Sequence, residues 1–165
     1  MEKENGGKGK WSMATTFTVA TRADIDTLLV FMSEYYEFDH LVFDEAVART
    51  ALESLIRDNS LGRVWIIHYV DEAIGYLALT LGYSLEYGGR DAFIDEVYIR
   101  SNYRGKGIGT AALAFAEEQC CTLGVRALHL EVERTNTNAY GVYHKVGFVD
   151  HARYMMTKVI TRTPR

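Results

Sequence analysis

Hydrophobic and polar positions change period several times along the chain, and each change marks an element. Thr16-Phe17-Thr18-Val19-Ala20 alternates with period two, the pattern of a half-buried strand. Asp24 precedes Ile25, Leu28, Leu29 and Met32 at helical spacing, which predicts a helix capped by Asp24. Asp44 predicts a second helix in the same way, with Val47, Ala51, Leu52, Leu55 and Ile56 along one face. Val64–Val70 reads as a strand, Asp71-Glu72 as a tight turn and Ala73–Leu81 as the antiparallel partner. Ser84–Arg90 leads into a further strand, Ala92–Arg100, and forms either a pocket wall or a plain hairpin end. Gly107–Leu123 is helical, with Ile108, Ala112 and Phe115 inward and Gly124 as C-cap. Arg126–Val132 must run parallel to Phe93–Arg100, because a whole helix separates the two strands. Asn136–Val146 is a short helix stopped by Gly147, and Ala152–Ile160 closes the sheet.

The resulting order, β-α-α-β-β-β-α-β-α-β, defines a single-domain α/β layout with a mixed central sheet flanked by helices. Residues 1–14, with Gly6-Gly7-Lys8-Gly9-Lys10, read as a flexible tail, and 15–165 as the domain. Composition changes this picture little: 165 residues, 48% hydrophobic and 24% charged, support one good core. Charge changes it more. A net charge of −4 and a pI near 5.7 argue against nucleic acid as a partner and sit well with a cationic substrate. No apolar run approaches the roughly 20 residues of a membrane span, and no signal peptide opens the chain. Cys120 and Cys121, adjacent in mid-helix, cannot build a disulfide framework. A cytoplasmic setting is expected.

Candidate chemistry concentrates where the strand ending at Arg100 meets the next helix. Gly105, Gly107 and Gly109 open that helix, whose first amides have no internal partner and carry the positive end of the helix dipole. Without Cβ atoms there, a phosphate can approach the backbone closely, and Arg104 and Lys106 add cations. The segment therefore reads as a pyrophosphate site rather than a ligand-free turn. A Walker A loop is excluded, because Lys106 is followed by Gly107 and not by Ser or Thr. Gly107-Ile108-Gly109-Thr110-Ala111-Ala112 does satisfy the dinucleotide fingerprint, with Glu131 and Glu133 at about the right distance. Against it, Ser101-Asn102-Tyr103-Arg104 separates strand from glycines, and only one βαβ unit surrounds the loop.

The remaining pattern, Arg104-Gly105-Lys106-Gly107-Ile108-Gly109 after the strand Val97-Tyr98-Ile99, resembles the acetyl-CoA motif of the GNAT N-acetyltransferase family. Downstream, Asn136, Ala139, Tyr143, Gly147 and Phe148 resemble the family's Asn-x-x-Ala-x-x-x-Tyr-x-x-x-Gly-Phe segment. The resemblance implies an acyl-CoA N-acyltransferase fold with two splayed parallel strands and acetyl-CoA, the acyl donor, between them. Backbone groups of Val97, Tyr98 and Ile99 would pair with pantetheine. The amides of Gly105, Lys106, Gly107, Ile108, Gly109 and Thr110, beside Arg104, would hold the pyrophosphate. Asn136 and Ala139 would contact the cofactor, and Tyr143 would protonate the departing thiol. By residue pattern alone, Tyr143 reads instead as a core aromatic on the stripe Ala139-Val142-Tyr143-Val146.

An attacking ammonium must first lose a proton, which calls for a carboxylate or a water chain near the thioester. Alternation puts Phe93, Asp95 and Val97 on one face and Ile94, Glu96 and Tyr98 on the other, so one of Asp95 and Glu96 faces the pocket. Resemblance to diamine acetyltransferases favours Asp95, with Glu96 second; either could instead pair with Arg100 or Arg90. Glu34-Tyr35-Tyr36-Glu37-Phe38-Asp39-His40 combines carboxylates with rings, and Tyr35, Tyr36 and Glu37 are candidates to hold an ammonium group. His129 and Glu131 share a strand face but have no further ligand at suitable spacing, so no metal site is expected. Neither cysteine sits on a loop beside a cation, which argues against a thiolate nucleophile. The expected acceptor is a small primary amine, diamine or polyamine-like, attacking directly in a ternary complex. A protein amine, or a non-catalytic acyl-CoA-binding module, is the alternative. The family resemblance also suggests a homodimer.

Overall fold

The computed structural model describes residues 14–160; the tail expected over 1–14 lies outside it except for Ala14, whose carbonyl accepts from Val70 N–H at 2.6 Å. Five strands form one sheet in the order β1-β2-β3-β4-β5: β1 Thr15–Val19, β2 Gly62–Tyr69, β3 Glu72–Ser84, β4 Gly89–Ile99 and β5 Ala127–Leu130. Neighbours are antiparallel through β4, and β4 pairs with β5 in parallel. Helices α1 (Ile25–Phe38) and α2 (Glu45–Arg57) follow β1; α3 (Ile108–Thr122) joins β4 to β5, and α4 (Thr137–Lys145) follows β5. The sheet is mixed and flanked by helices, as the periodicity predicts.

Each face of the sheet carries its own core. Val64 and Ile66 of β2, Tyr76 and Ala78 of β3 and Tyr98 of β4 pack against Leu28, Phe31 and Met32 of α1 and Leu52 of α2. On the opposite face Trp65, Ile67, Leu77, Leu79, Ala92 and Ile94 pack against Ile108, Ala112, Leu113 and Ala116 of α3. At about 1.5–3 kcal/mol per fully buried large apolar side chain, these two layers dominate the favourable side of folding.

Several expectations are corrected. Ala152–Ile160 forms no strand: Tyr154 and Met156 are 85% and 91% exposed, and Arg153 is tied to Glu86 at the β3–β4 hairpin end by two 3.0 Å hydrogen bonds. The segment is rich in strand-forming residues, but a strand needs an adjacent edge, and this one is held at a turn. Asp24 stands at the N-cap of α1 but its side chain makes no bond to the helix; the carboxylate reaches back to Thr21 N–H and Oγ, each at 2.8 Å, closing the turn before it. Asp44 does cap α2, accepting from the amides of Ala46 and Val47 at 3.0 and 3.1 Å. On α2 the buried positions are Ala48 and Leu52, whereas Val47 and Ala51 face solvent. The β2–β3 turn is centred on Val70-Asp71, with Val70 at φ 59°, and Ser84–Gly89 is a hairpin end. The cysteines lie in the last turns of α3 rather than mid-helix.

One irregularity matters for everything that follows. Ala78 pairs with Glu96 and Leu79 with Ile94, so Asp95 is an extra residue in β4, a β-bulge. Ile94 points into the α3-side core, while Tyr98 points into the α1-side core. The expected grouping of Ile94 with Glu96 and Tyr98 therefore fails. The extra residue puts Asp95 and Glu96 on the same α1-facing side.

Candidate active site

β5 pairs with β4 only over Asp91–Ile94. β4 continues from Asp95 to Ile99 with β3 on one edge and, among the described residues, no strand on the other, so the two parallel strands part at the bulge. Beyond Ile99 the chain turns through Ser101–Tyr103 and reaches α3 through Gly105 and Gly107 at φ 76° and 78°. Those left-handed angles strain any residue with a Cβ, which is the local reason for glycine at both places. The first amide of α3 to find a partner is that of Ala111, which donates to the Gly107 carbonyl at 3.0 Å. Among the described residues, the amides of residues 105–110 have no protein acceptor, and nothing lies within 4 Å of where a Cβ on Gly105 or Gly107 would sit. Unpaired amides at a helix start, next to an open strand edge, fit an acyl-CoA: diphosphate on the loop, amide-bearing pantetheine along Val97–Ile99.

The two loop cations are engaged with rings. Arg104 Nε donates to the Ile99 carbonyl at 2.8 Å, and its guanidinium lies 4.3 Å from the Phe38 ring and 5.8 Å from Tyr98. Lys106 lies 5.0 Å from the Tyr103 ring and 5.3 Å from Tyr69. Asn136 caps α4, its Oδ1 accepting from Ala139 N–H at 3.1 Å.

On the α1-facing side of the bulge, carboxylates and phenols converge. Glu96 accepts from Tyr76 Oη at 2.7 Å, and the rings of Tyr35 and Tyr36 meet edge to face at 5.7 Å. Burial raises the Glu96 carboxyl above its ordinary value, opposed by hydrogen bonds from Tyr76 and Tyr36, with the Asp95 charge adding to the rise. Burial alone raises Asp95. Tyr36 is pushed up to about 12, by burial first and then by the charge of Glu96, and Tyr35 is raised by burial and by Asp39. Glu37, expected beside them, faces solvent. Neither Asp95 nor Glu96 pairs with Arg100, whose fork is taken by Glu34 at 2.8 and 3.0 Å. That pairing holds Glu34 below the usual carboxylate range.

Tyr143 of α4 is half-buried, edge to face with Phe148 at 6.0 Å. Its hydroxyl is raised by burial and then by the charge of Asp39, at the C-terminal end of α1. His129 Nε2 lies 3.7 Å from Asp91, and among the described residues no group of three or more His, Cys, Asp or Glu is placed to hold a metal. Burial pushes the Cys120 thiol up to about 11, the wrong direction for a nucleophile. Sequence reasoning missed Tyr76 as part of the site, and saw Glu34 and Asp39 only as members of a carboxylate-rich stretch, with no partner or role of their own. Tyr76 alternates correctly in β3, but its hydroxyl partner depends on the bulge in a different strand.

The model of the acetyltransferase (GNAT) family matches residues 27–148, and the chain belongs to that family. It is an acetyl-CoA-dependent N-acetyltransferase. A mouse relative, thialysine N-epsilon-acetyltransferase, is 26% identical over 149 residues, covering 83% of this chain and 85% of its own. An integron cassette protein from the mobile metagenome of Cole Harbour Salt Marsh shares the fold with a TM-score of 0.79 and 37% identity, over 89% of this chain and 91% of that one. A predicted acetyltransferase from Clostridium acetobutylicum, solved with acetyl-CoA, gives 0.74 and 18% identity over 87% and 96%.

Proposed function

We propose that the chain acetylates a small cationic primary amine, diamine or polyamine-like, which attacks directly in a ternary complex. The observation that carries this reading is the bulge that turns Asp95 and Glu96 together toward the phenols of Tyr35, Tyr36 and Tyr76. Adjacent carboxylates walled by rings suit an ammonium group, which gains from charge and from ring faces. The mouse relative's name, which specifies an ε-amino acceptor, supports the same class of substrate.

The amides of residues 105–110 and the β4 edge would hold acetyl-CoA, which would supply an acyl carbon activated as a thioester. Asp95, with Glu96 beside it as the second candidate, takes the one proton that the incoming ammonium must lose. Their raised pKa values make them stronger bases than an ordinary carboxylate. Tyr143 stays protonated across the physiological range and donates from its hydroxyl as charge builds on sulfur. Among the described residues no helix is long and apolar enough to cross a membrane. A cytoplasmic setting and a homodimer belong to this proposal; the exposed run Tyr154, Met155, Met156, Val159 and Ile160 supports the dimer, and light scattering checks it.

Thiol release from acetyl-CoA across a panel of small amines and peptides tests the substrate class. Turnover with diamines is expected, and turnover with peptides alone would sink the small-amine reading. Tyr143→Phe should lower kcat about 100-fold, with coenzyme A affinity retained.

A further inference from the structure

Glu34 has neither chemical role, yet it touches both walls of the site. It precedes Tyr35 in α1, and its carboxylate accepts from Tyr98 Oη at 3.2 Å, Arg100 Nε at 3.0 Å and Arg100 Nη2 at 2.8 Å. Tyr98 lies on the part of β4 that β5 does not pair, and Arg100 follows directly on the strand's last residue, Ile99. Among the described residues that end is supported on one edge, by β3 and by the Arg100 N–H bond to the Ile74 carbonyl at 3.0 Å. The Arg100 guanidinium also covers the Phe31 ring at 4.8 Å, and the Tyr98 ring lies 6.0 Å from Tyr35. A fully exposed ion pair would contribute little. Here both side chains are only 33% exposed, and the bidentate fork fixes direction as well as distance.

We propose that Glu34 is a positioning residue, setting the open edge of β4 and the Tyr35–Tyr36 wall of α1 relative to one another. The cofactor half rests on membership of the acetyltransferase family, and the acceptor half rests on the small-amine reading. Without the carboxylate, the β4 end and α1 lose their cross-link, and both binding surfaces loosen together. No reacting atom is touched, so the saturated rate is largely kept.

The test uses the full chain with Glu34→Gln, Glu34→Ala, Arg100→Met and the Glu34→Ala/Arg100→Met pair. Calorimetry with coenzyme A, the KM for acetyl-CoA and for the amine, and the folded fraction by circular dichroism are measured on each. Coenzyme A Kd and amine KM are expected to rise together by about tenfold in Glu34→Ala, as befits a lost charged hydrogen bond. Glu34→Gln should lie between, and the pair should cost less than the sum of its members. A purely structural role would lower the folded fraction and apparent kcat with coenzyme A affinity and amine KM unchanged, which overturns the proposal. So does a rise confined to one substrate. If the parent accepts only peptides, the small-amine reading falls and the peptide KM takes the amine's place; unchanged coenzyme A affinity still overturns the role of Glu34.

Discussion

The two sides of β4 are made of opposite materials. Toward α3 the strand shows Ala92 and Ile94, buried among Leu77, Leu79, Ile108 and Ala112. Toward α1 it shows Asp95, Glu96 and Tyr98, among phenols and the Glu34–Arg100 pair. The first side gains stability from every atom it buries. The second gives some of that up, since the part-buried Glu96 carboxylate is partly desolvated and, among the described residues, neither it nor Asp95 has a salt-bridge partner. The difference teaches that one strand can be anchor and site at once, provided a bulge separates the two duties.

The sharpest way to break that contrast is to damage the anchor. Leu79→Ala removes a fully buried side chain and should cost about 2–5 kcal/mol in urea unfolding, leaving substrate KM values alone in the folded fraction. Next in size, Asp95→Asn combined with Glu96→Gln should lower kcat/KM at least 100-fold, about 2.7 kcal/mol, while raising Tm. The sign follows from linkage. Both folded pKa values lie above their unfolded ones, so the folded state loses stability as pH rises from the ordinary carboxylate range through the raised values. Amides remove that loss, and the variant's Tm should be flatter with pH. The parent's activity should fall on acidification at a pH above that of an unperturbed carboxylate. The smallest effect is expected at the loop: Gly107→Ala forces a Cβ onto a left-handed residue, costing about 1–2 kcal/mol. Coenzyme A affinity should fall while amine KM holds; an equal fall in both would blur the division between loop and wall.

The elements of this fold were legible because apolar spacing is local. Leu28, Leu29 and Met32 announce α1, and the helix between β4 and β5 forces their parallel pairing. The glycines of the loop were legible for a chemical reason, since few other needs put Gly105 and Gly107 before a helix. The facing of Glu96 was not. Strict alternation assigns it correctly only if no residue is inserted, and the insertion at Asp95 shows only in the register against Ala78 and Leu79. Nor could local pattern show that Ala152–Ile160 finds no neighbour, because pairing is a property of the partner. Glu34 was visible as one carboxylate among several, but its distinction comes from Arg100, 66 residues away.

The bare edge of β4 has one more implication. A ligand grasped through main-chain amides makes few demands on which side chains that strand carries. Acceptor preference could then change through the α1 wall at Tyr35 and Tyr36 while donor recognition stays intact, so a small library at those two positions, sparing Asp95, Glu96 and Tyr98, is a rational starting point for redirecting this scaffold.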